Sequence, residues 1–189
     1  MDNKISFKAN LVSNGLVRNN VGKIFEKATT AFPEETFTLT KGDVAEGMQG
    51  YIIANLKTNK AITGEPTCFV FKNPSPDTSD ENIATKLVRG FKVLIEEAMM
   101  NQKKYWLEKQ IQRADIIRAE QSQKAEITAK KGLTKISHAY ESLAERSAQK
   151  VEDLRGKHIV IKDQFGKKMS EIAGDDSEVQ SLAKVILSD

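Results

Sequence analysis

In "KISFKANLV" (4–12), Ile5, Phe7, Ala9 and Leu11 alternate with Ser6, Lys8 and Asn10. A period of two predicts a half-buried strand. After the turn signal "SNG", Val17, Val21, Ile24, Phe25, Ala28 and Phe32 recur at helical spacing, which predicts an amphipathic helix over 16–32, ended by Pro33. Three strand candidates follow at 35–41, 49–57 and 66–72. In the first, Phe37 and Leu39 alternate with threonines. The other two are apolar on both faces, as a central strand is, and "TNKAITG" between them is short enough for a hairpin.

Beyond "NPSPDTSDE" the period changes. Thr78 and Glu81 have capping-box spacing, and nothing from there to Gly132 interrupts a helix. Lys130 and Lys131 lie in its last turn, and Gly132 is its natural stop. Ala84, Leu87, Phe91, Leu94 and Ala98 form one stripe, which fails at Asn101, Tyr105 and Glu108. A new stripe begins at Leu107 and continues through Ile111, Ala114 and Ile117. At 3.6 residues per turn the two stripes lie about 180° apart. Either the helix breaks or kinks within 99–106, or it stays straight and buries its halves against different neighbours. A break is the first expectation, because a straight helix of about 76 Å would be followed by a return helix of only about 34 Å.

That return helix is predicted over 133–155. Leu133, Ile136, Tyr140, Leu143 and Leu154 share a heptad register, interrupted by Ser147 and Lys150, a coiled-coil-like seam. "KHIVIKD" (157–163) reads as a short strand. Phe165, Met169 and Ile172 give a helical turn or two before Gly174, and a closing helix buries Val179, Leu182, Ala183 and Ile186.

The expected fold class is therefore α+β. A small sheet of about four or five strands carries one packed amphipathic helix, followed by a long helix or helical hairpin and a C-terminal helix. Three segments follow: a β-α-β-β-β module over 1–77, the helical part over 78–156, and a strand plus helix over 157–189 packed on the rest.

Composition adds constraints. With 39% hydrophobic and 29% charged residues, the chain fits a soluble protein with a large helical surface. No apolar run approaches the roughly 20 residues that span a bilayer, and the first residues lack the apolar stretch of a signal peptide, so a cytoplasmic location is expected. The single cysteine, Cys68, cannot form an intramolecular disulfide and reads as a buried hydrophobe in "TCFVF". The net charge of +3 is uneven: residues 83–155 hold fifteen Lys/Arg against ten Asp/Glu.

No catalytic motif stands. "VGKI" (21–24) lacks two required positions of a phosphate loop, and Gly22 reads better as a close helix–sheet contact. His138, His158 and one cysteine cannot build a structural zinc site. Cys68, His158 and Asp163 have the residue types of a thiol enzyme, but a thiolate is disfavoured in an apolar strand. Glu96 and Glu97 diverge on a helix and make no carboxylate pair.

No enzyme, cofactor or metal is expected. The first expectation is a non-enzymatic interaction or scaffold protein whose helical seams bind a second copy or a protein partner. Its candidate residues are Leu133, Ile136, Tyr140, Leu143, Leu154, Trp106, Leu107 and Ile111. The alternative is sequence-independent nucleic-acid binding through Lys103, Trp106, Lys109 and Arg113. Against it, Glu96, Glu97, Glu108, Asp115, Glu120 and Glu126 are interspersed with the cations. An enzyme of unknown class ranks third. Trp106 is expected to be at least half buried at the crossover, with its lysines solvated.

Overall fold

The computed structural model describes residues 12–13, 18–29, 37–45, 48–55, 68–72, 75 and 77–188. The fold is mixed α+β, with a three-stranded antiparallel sheet, a long helix, a second helix and a C-terminal helix. The elements run β1 (Val12–Ser13), α1 (Asn19–Thr29), β2 (Phe37–Ala45), β3 (Met48–Asn55), β4 (Cys68–Lys72), α2 (Asp80–Lys130), α3 (Thr134–Ala173) and α4 (Ser177–Ser188). β3 pairs antiparallel with β2 and β4 and is central, as its two-sided apolar pattern requires. β1 adds only a two-residue parallel pairing to β2 at the sheet's edge. Among the described residues the sheet therefore has three antiparallel strands and the short edge pairing of β1, not the expected four or five full strands. The strand expected over 4–12 lies outside the described residues except for Val12 and Ser13, and Phe7 lies outside them altogether.

Contacts divide the chain into two compact units. The first holds residues 1–99 and 165–189. Leu39, Ile53 and Phe69 form a cross-strand ladder on the sheet's buried face, with Tyr51 and Phe71 paired beside them. Ile52 and Val70 on the other face are half-buried. Val21 and Phe25 of α1 are fully buried, and the Phe25 ring meets Phe91 of α2 edge-on at 5.4 Å. α2 approaches the sheet at Gly90, where an added Cβ would stand 2.2 Å from the Phe69 ring. Gly90 thus makes the kind of close helix–sheet contact that the sequence suggested for a glycine.

The start of α2 is fixed by Ser79, whose Oγ accepts from the Asn82 amide at 3.3 Å. The cap is thus one residue later than the expected Thr78. The Thr78 carbonyl instead accepts from Arg18, which also pairs with Asp80 at 3.0 Å. α4 is capped by Asp176, whose carboxylate accepts from the amides of Glu178 and Val179. Lys86 of α2 pairs with Asp176 at 3.5 Å and with Glu178. Val179, Leu182, Ala183 and Ile186 are buried as expected. Cys68 is exposed at the first position of β4, not buried in it.

The second unit is residues 100–164, an antiparallel pair made by the end of α2 and the start of α3. α2 runs unbroken, so the break expected within 99–106 does not occur. Its two opposed stripes meet different neighbours instead, although in the second Leu107 and Ile111 are only half-buried and Ile117 is exposed. Ala84, Leu87, Phe91 and Leu94 pack in the first unit, and Ala114 and Ala125 in the second. Gly132 ends α2 at φ 72°, with its amide donating to Ala129 and that of Leu133 to Thr128. These are the two bonds of a Schellman motif.

"KHIVIKD" is helix, not strand, and α3 extends to Ala173 instead of ending near 155. A short apolar run does not distinguish strand from helix by itself. Here His158 and Ile161 fall seven residues after Val151 and Leu154 and continue the same packed face, so helix is the conformation that lets them pack.

Candidate interaction surface

The helical pair packs at heptad steps, one residue away from half of the expected register. On α3, Ser137, Ala144, Val151 and His158 are buried or half-buried, as are Tyr140, Ser147, Leu154 and Ile161. On α2 the packed positions include Leu107, Ile111, Ala114, Gln121, Ala125 and Thr128. Of the expected seam, Leu154 is buried and Tyr140 half-buried, while Leu133, Ile136 and Leu143 are exposed. The reason lies in side-chain size. Small residues at Ser137 and Ala144 face Ala125 and its neighbours and bring the backbones close. The Ser137 hydroxyl donates to the Ala125 carbonyl at 3.0 Å. The larger Ile136 and Leu143, one position earlier in each heptad, are left at the rim.

Two grooves run along this pair. One is lined by Leu107, Asp153, Gly156, Lys157, Val160 and Ile161. The other is lined by residues that include Ala125, Glu126, Glu141, Ala144 and Glu145. Seven-residue steps from these positions assign the rest of each flank. From Lys157 and Val160, the first flank receives Lys150, Leu143 and Ile136, and Asp153, Arg146 and Ala139. From Ser122 and Glu126, the second receives Asp115, Glu108 and Ala119. Lys103, Gln110, Ile117 and Lys124, with Trp106, Arg113, Glu120 and Ile127, then belong to the first.

The charges separate accordingly. The first flank carries Lys103, Arg113, Lys124, Arg146, Lys150 and Lys157 against Glu120 and Asp153. The second carries Glu108, Asp115, Glu126, Glu141, Glu145 and Glu152 against Arg155 and Lys162. His158 sits 3.9 Å from Glu108 on this second side. Interspersed charges in the sequence thus become a basic face and an acidic face once two helices share an axis.

Exposed apolar residues concentrate on the basic flank, which holds Trp106, Ile117, Ile127, Ile136, Leu143 and Val160. Trp106 is 57% exposed, which overturns its expected burial at the crossover. α2 continues through this position unbroken. Tyr105, next to Trp106, is half-buried and touches it edge-on at 5.6 Å. Of the expected nucleic-acid contacts, Lys103, Trp106 and Arg113 share the basic flank. Lys109 points elsewhere, 5.5 Å from the Tyr105 ring centre. Of the expected partner contacts, Leu107 and Ile111 are half-buried between the helices.

Ile127, Val160, Lys124, Arg146 and Lys157 were not singled out from the sequence. Their signal was the small-residue heptad Ser137–Ala144–Val151, which sets the packed line and therefore the flanks. Among the described residues, no group of three or more His, Cys, Asp or Glu could hold a metal ion, and no helix is long and apolar enough to cross a membrane. Comparison with known proteins finds no matching family model, no curated protein and no solved structure.

Proposed function

We propose that this chain is a non-enzymatic interaction or scaffold protein whose helical pair, residues 100–164, carries the contact surface for self-association or partner binding. The observation that carries this reading is the distribution of exposed apolar side chains. Nine large ones fall in residues 100–164, namely the six of the basic flank with Ile116, Leu133 and Ile159. Elsewhere among the described residues there are three: Ile24, Met99 and Val185. Single exposed hydrophobes are ordinary, but several on one flank are a liability unless covered.

The test is light scattering on the full chain, with and without Ile136→Glu and Leu143→Glu, alongside purification from the native cell. Association or a retained partner, lost in the double variant, supports the reading. A monomer at high concentration that retains nothing would sink it.

A second reading has its own observation. Trp106 is open, and Lys103 and Arg113 share its flank, which is the composition of a single-stranded nucleic-acid platform. It predicts weak, salt-steep, sequence-independent binding that quenches or shifts the tryptophan emission. Titration with a single-stranded oligonucleotide at low salt decides it, and an unchanged emission excludes it.

A further inference from the structure

The interaction reading leaves the partner's chemistry open, and the basic flank narrows it. Its apolar side chains stand at three levels. The antiparallel pairing that joins Ser137 to Ala125 puts Ile127 and Ile136 at the same level along the pair. Ile117 and Leu143 come near mid-length, and Trp106 and Val160 near the far end, where Leu107 meets Val160 in one groove. From Ile136 to Val160 the flank extends about 36 Å, the length of a helix of about 24 residues. Basic residues stand between the levels.

Ile136 and Leu143 are 47% and 44% exposed. By heptad position they flank the line where α2 and α3 meet, so a rod laid along that line covers them. A flat lipid surface would meet the outer row instead. Arg113, Glu120, Arg146 and Asp153 stand in that row with Trp106, Ile127 and Val160, and its two cations and two carboxylates cancel, so the row itself offers no net attraction to anionic headgroups. A nucleic acid would use the cations and Trp106 but leave Ile117, Ile127, Ile136, Leu143 and Val160 against phosphates, where they contribute nothing. A second copy using the same flank would set six cations against six, and one offering its acidic flank would bring Ile159 but no row of exposed large apolar side chains to meet Ile117, Ile136 and Leu143.

We propose that the basic flank receives one acidic amphipathic helix of a different protein. The helix lies along the line between α2 and α3, with its apolar stripe on Ile117, Ile136 and Leu143. Its glutamates or aspartates face Arg113, Lys124, Arg146, Lys150 and Lys157. Apolar contact supplies affinity, and the charges set orientation and exclude basic helices.

This proposal rests on the interaction reading, and its test separates the two. The full-length protein is titrated with a synthetic helix of about 24 residues, with leucine at a and d, glutamate at e and g, and no tryptophan. A twin carries lysine in place of every glutamate. The glutamate peptide is expected to bind and shift the Trp106 emission to the blue, with affinity that falls as salt rises. The lysine twin, and the glutamate peptide on Lys150→Glu/Lys157→Glu protein, are expected to bind at least about tenfold more weakly. No binding, or equal binding of the twins, overturns the proposal.

A photo-cross-linking amino acid in place of Leu143, used in the native cell, gives the second readout. Attachment to an acidic helical segment of another protein supports the proposal. Attachment to a second copy, or to a segment that is not acidic, overturns it but leaves the interaction reading standing. Attachment only to lipid or nucleic acid, or no attachment, overturns both.

Discussion

Tyr51 shows at the scale of one residue how burial and charge compete. Its ring is fully buried against Phe71, and its hydroxyl makes no well-formed hydrogen bond among the described residues, although the Arg18 backbone amide lies close to it. Burial pushes the hydroxyl's pKa above the usual 10.0, against the pull of the Arg18 guanidinium. A folded pKa above the unfolded one contributes stability that is complete below about pH 10 and lost as pH rises through the folded value. The melting temperature should therefore fall above pH 10, and Tyr51→Phe should flatten that decline. At neutral pH the same variant should change stability by no more than about 1 kcal/mol, because the hydroxyl it removes makes at most a weak bond to the Arg18 amide. A loss well above that in denaturant titration would mean that the hydroxyl has a stronger partner. Trp106 is the opposite case. As an open ring it should cost under about 1 kcal/mol when changed to alanine, and a free, easily quenched emission should accompany it.

The elements depend on a few backbone positions. Gly132 holds φ 72°, a region that costs a side-chain-bearing residue about 1–2 kcal/mol, so Gly132→Ala should lower stability by about that amount. The effect should appear as earlier fraying of residues 128–137 in hydrogen exchange. Gly90 acts through space instead. Its missing Cβ lets α2 seat on Phe69, and Gly90→Val should cost about 1–3 kcal/mol or displace the helix. Thermal melts compared with Gly156→Val, whose added Cβ meets nothing within 4 Å, separate a clash from the general cost of losing glycine. Both glycines lie inside helices, so any gain in helix propensity is shared by the two variants.

At the scale of the molecule, the two units are built from different materials. The first has an aromatic and aliphatic core that includes Phe25, Tyr51, Phe69, Phe91, Leu94 and Met169. The second buries Ala114, Ala125, Ser137, Val151 and Leu154 along its helical pair but no aromatic ring, and many of its larger apolar side chains stand outside. Apolar burial is the main source of stability, so residues 100–164 should open at lower free energy than the first unit. Native-state hydrogen exchange should show slower amides in β3 and in residues 83–95 than in 107–128 and 137–158. Equal protection would show that the helical pair is as well packed as the sheet. A bound partner helix should raise the protection of the second set selectively.

Local signals that depend on adjacent residues were legible in the sequence. β3 reads as a central strand because it is apolar on both faces. Gly132 and Gly174 stop helices because they accept positive φ, and Val179, Leu182, Ala183 and Ile186 repeat at helical spacing. The 180° crossover near Trp106 was visible too, and it falls at the boundary between the units, but its meaning was not. A change of buried face is the same pattern whether a helix breaks or merely changes neighbours, and only the neighbours decide. "HIVIK" likewise satisfies a short strand or a buried helical turn, and the packed line through Val151 and Leu154 made it helix. Pairing α2 with α3 also sorted Glu108, Asp115 and Glu126 away from Lys103, Arg113 and Lys124. Which charges share a face depends on where two helices touch, and Ser137 and Ala144 set that contact because small side chains let backbones approach.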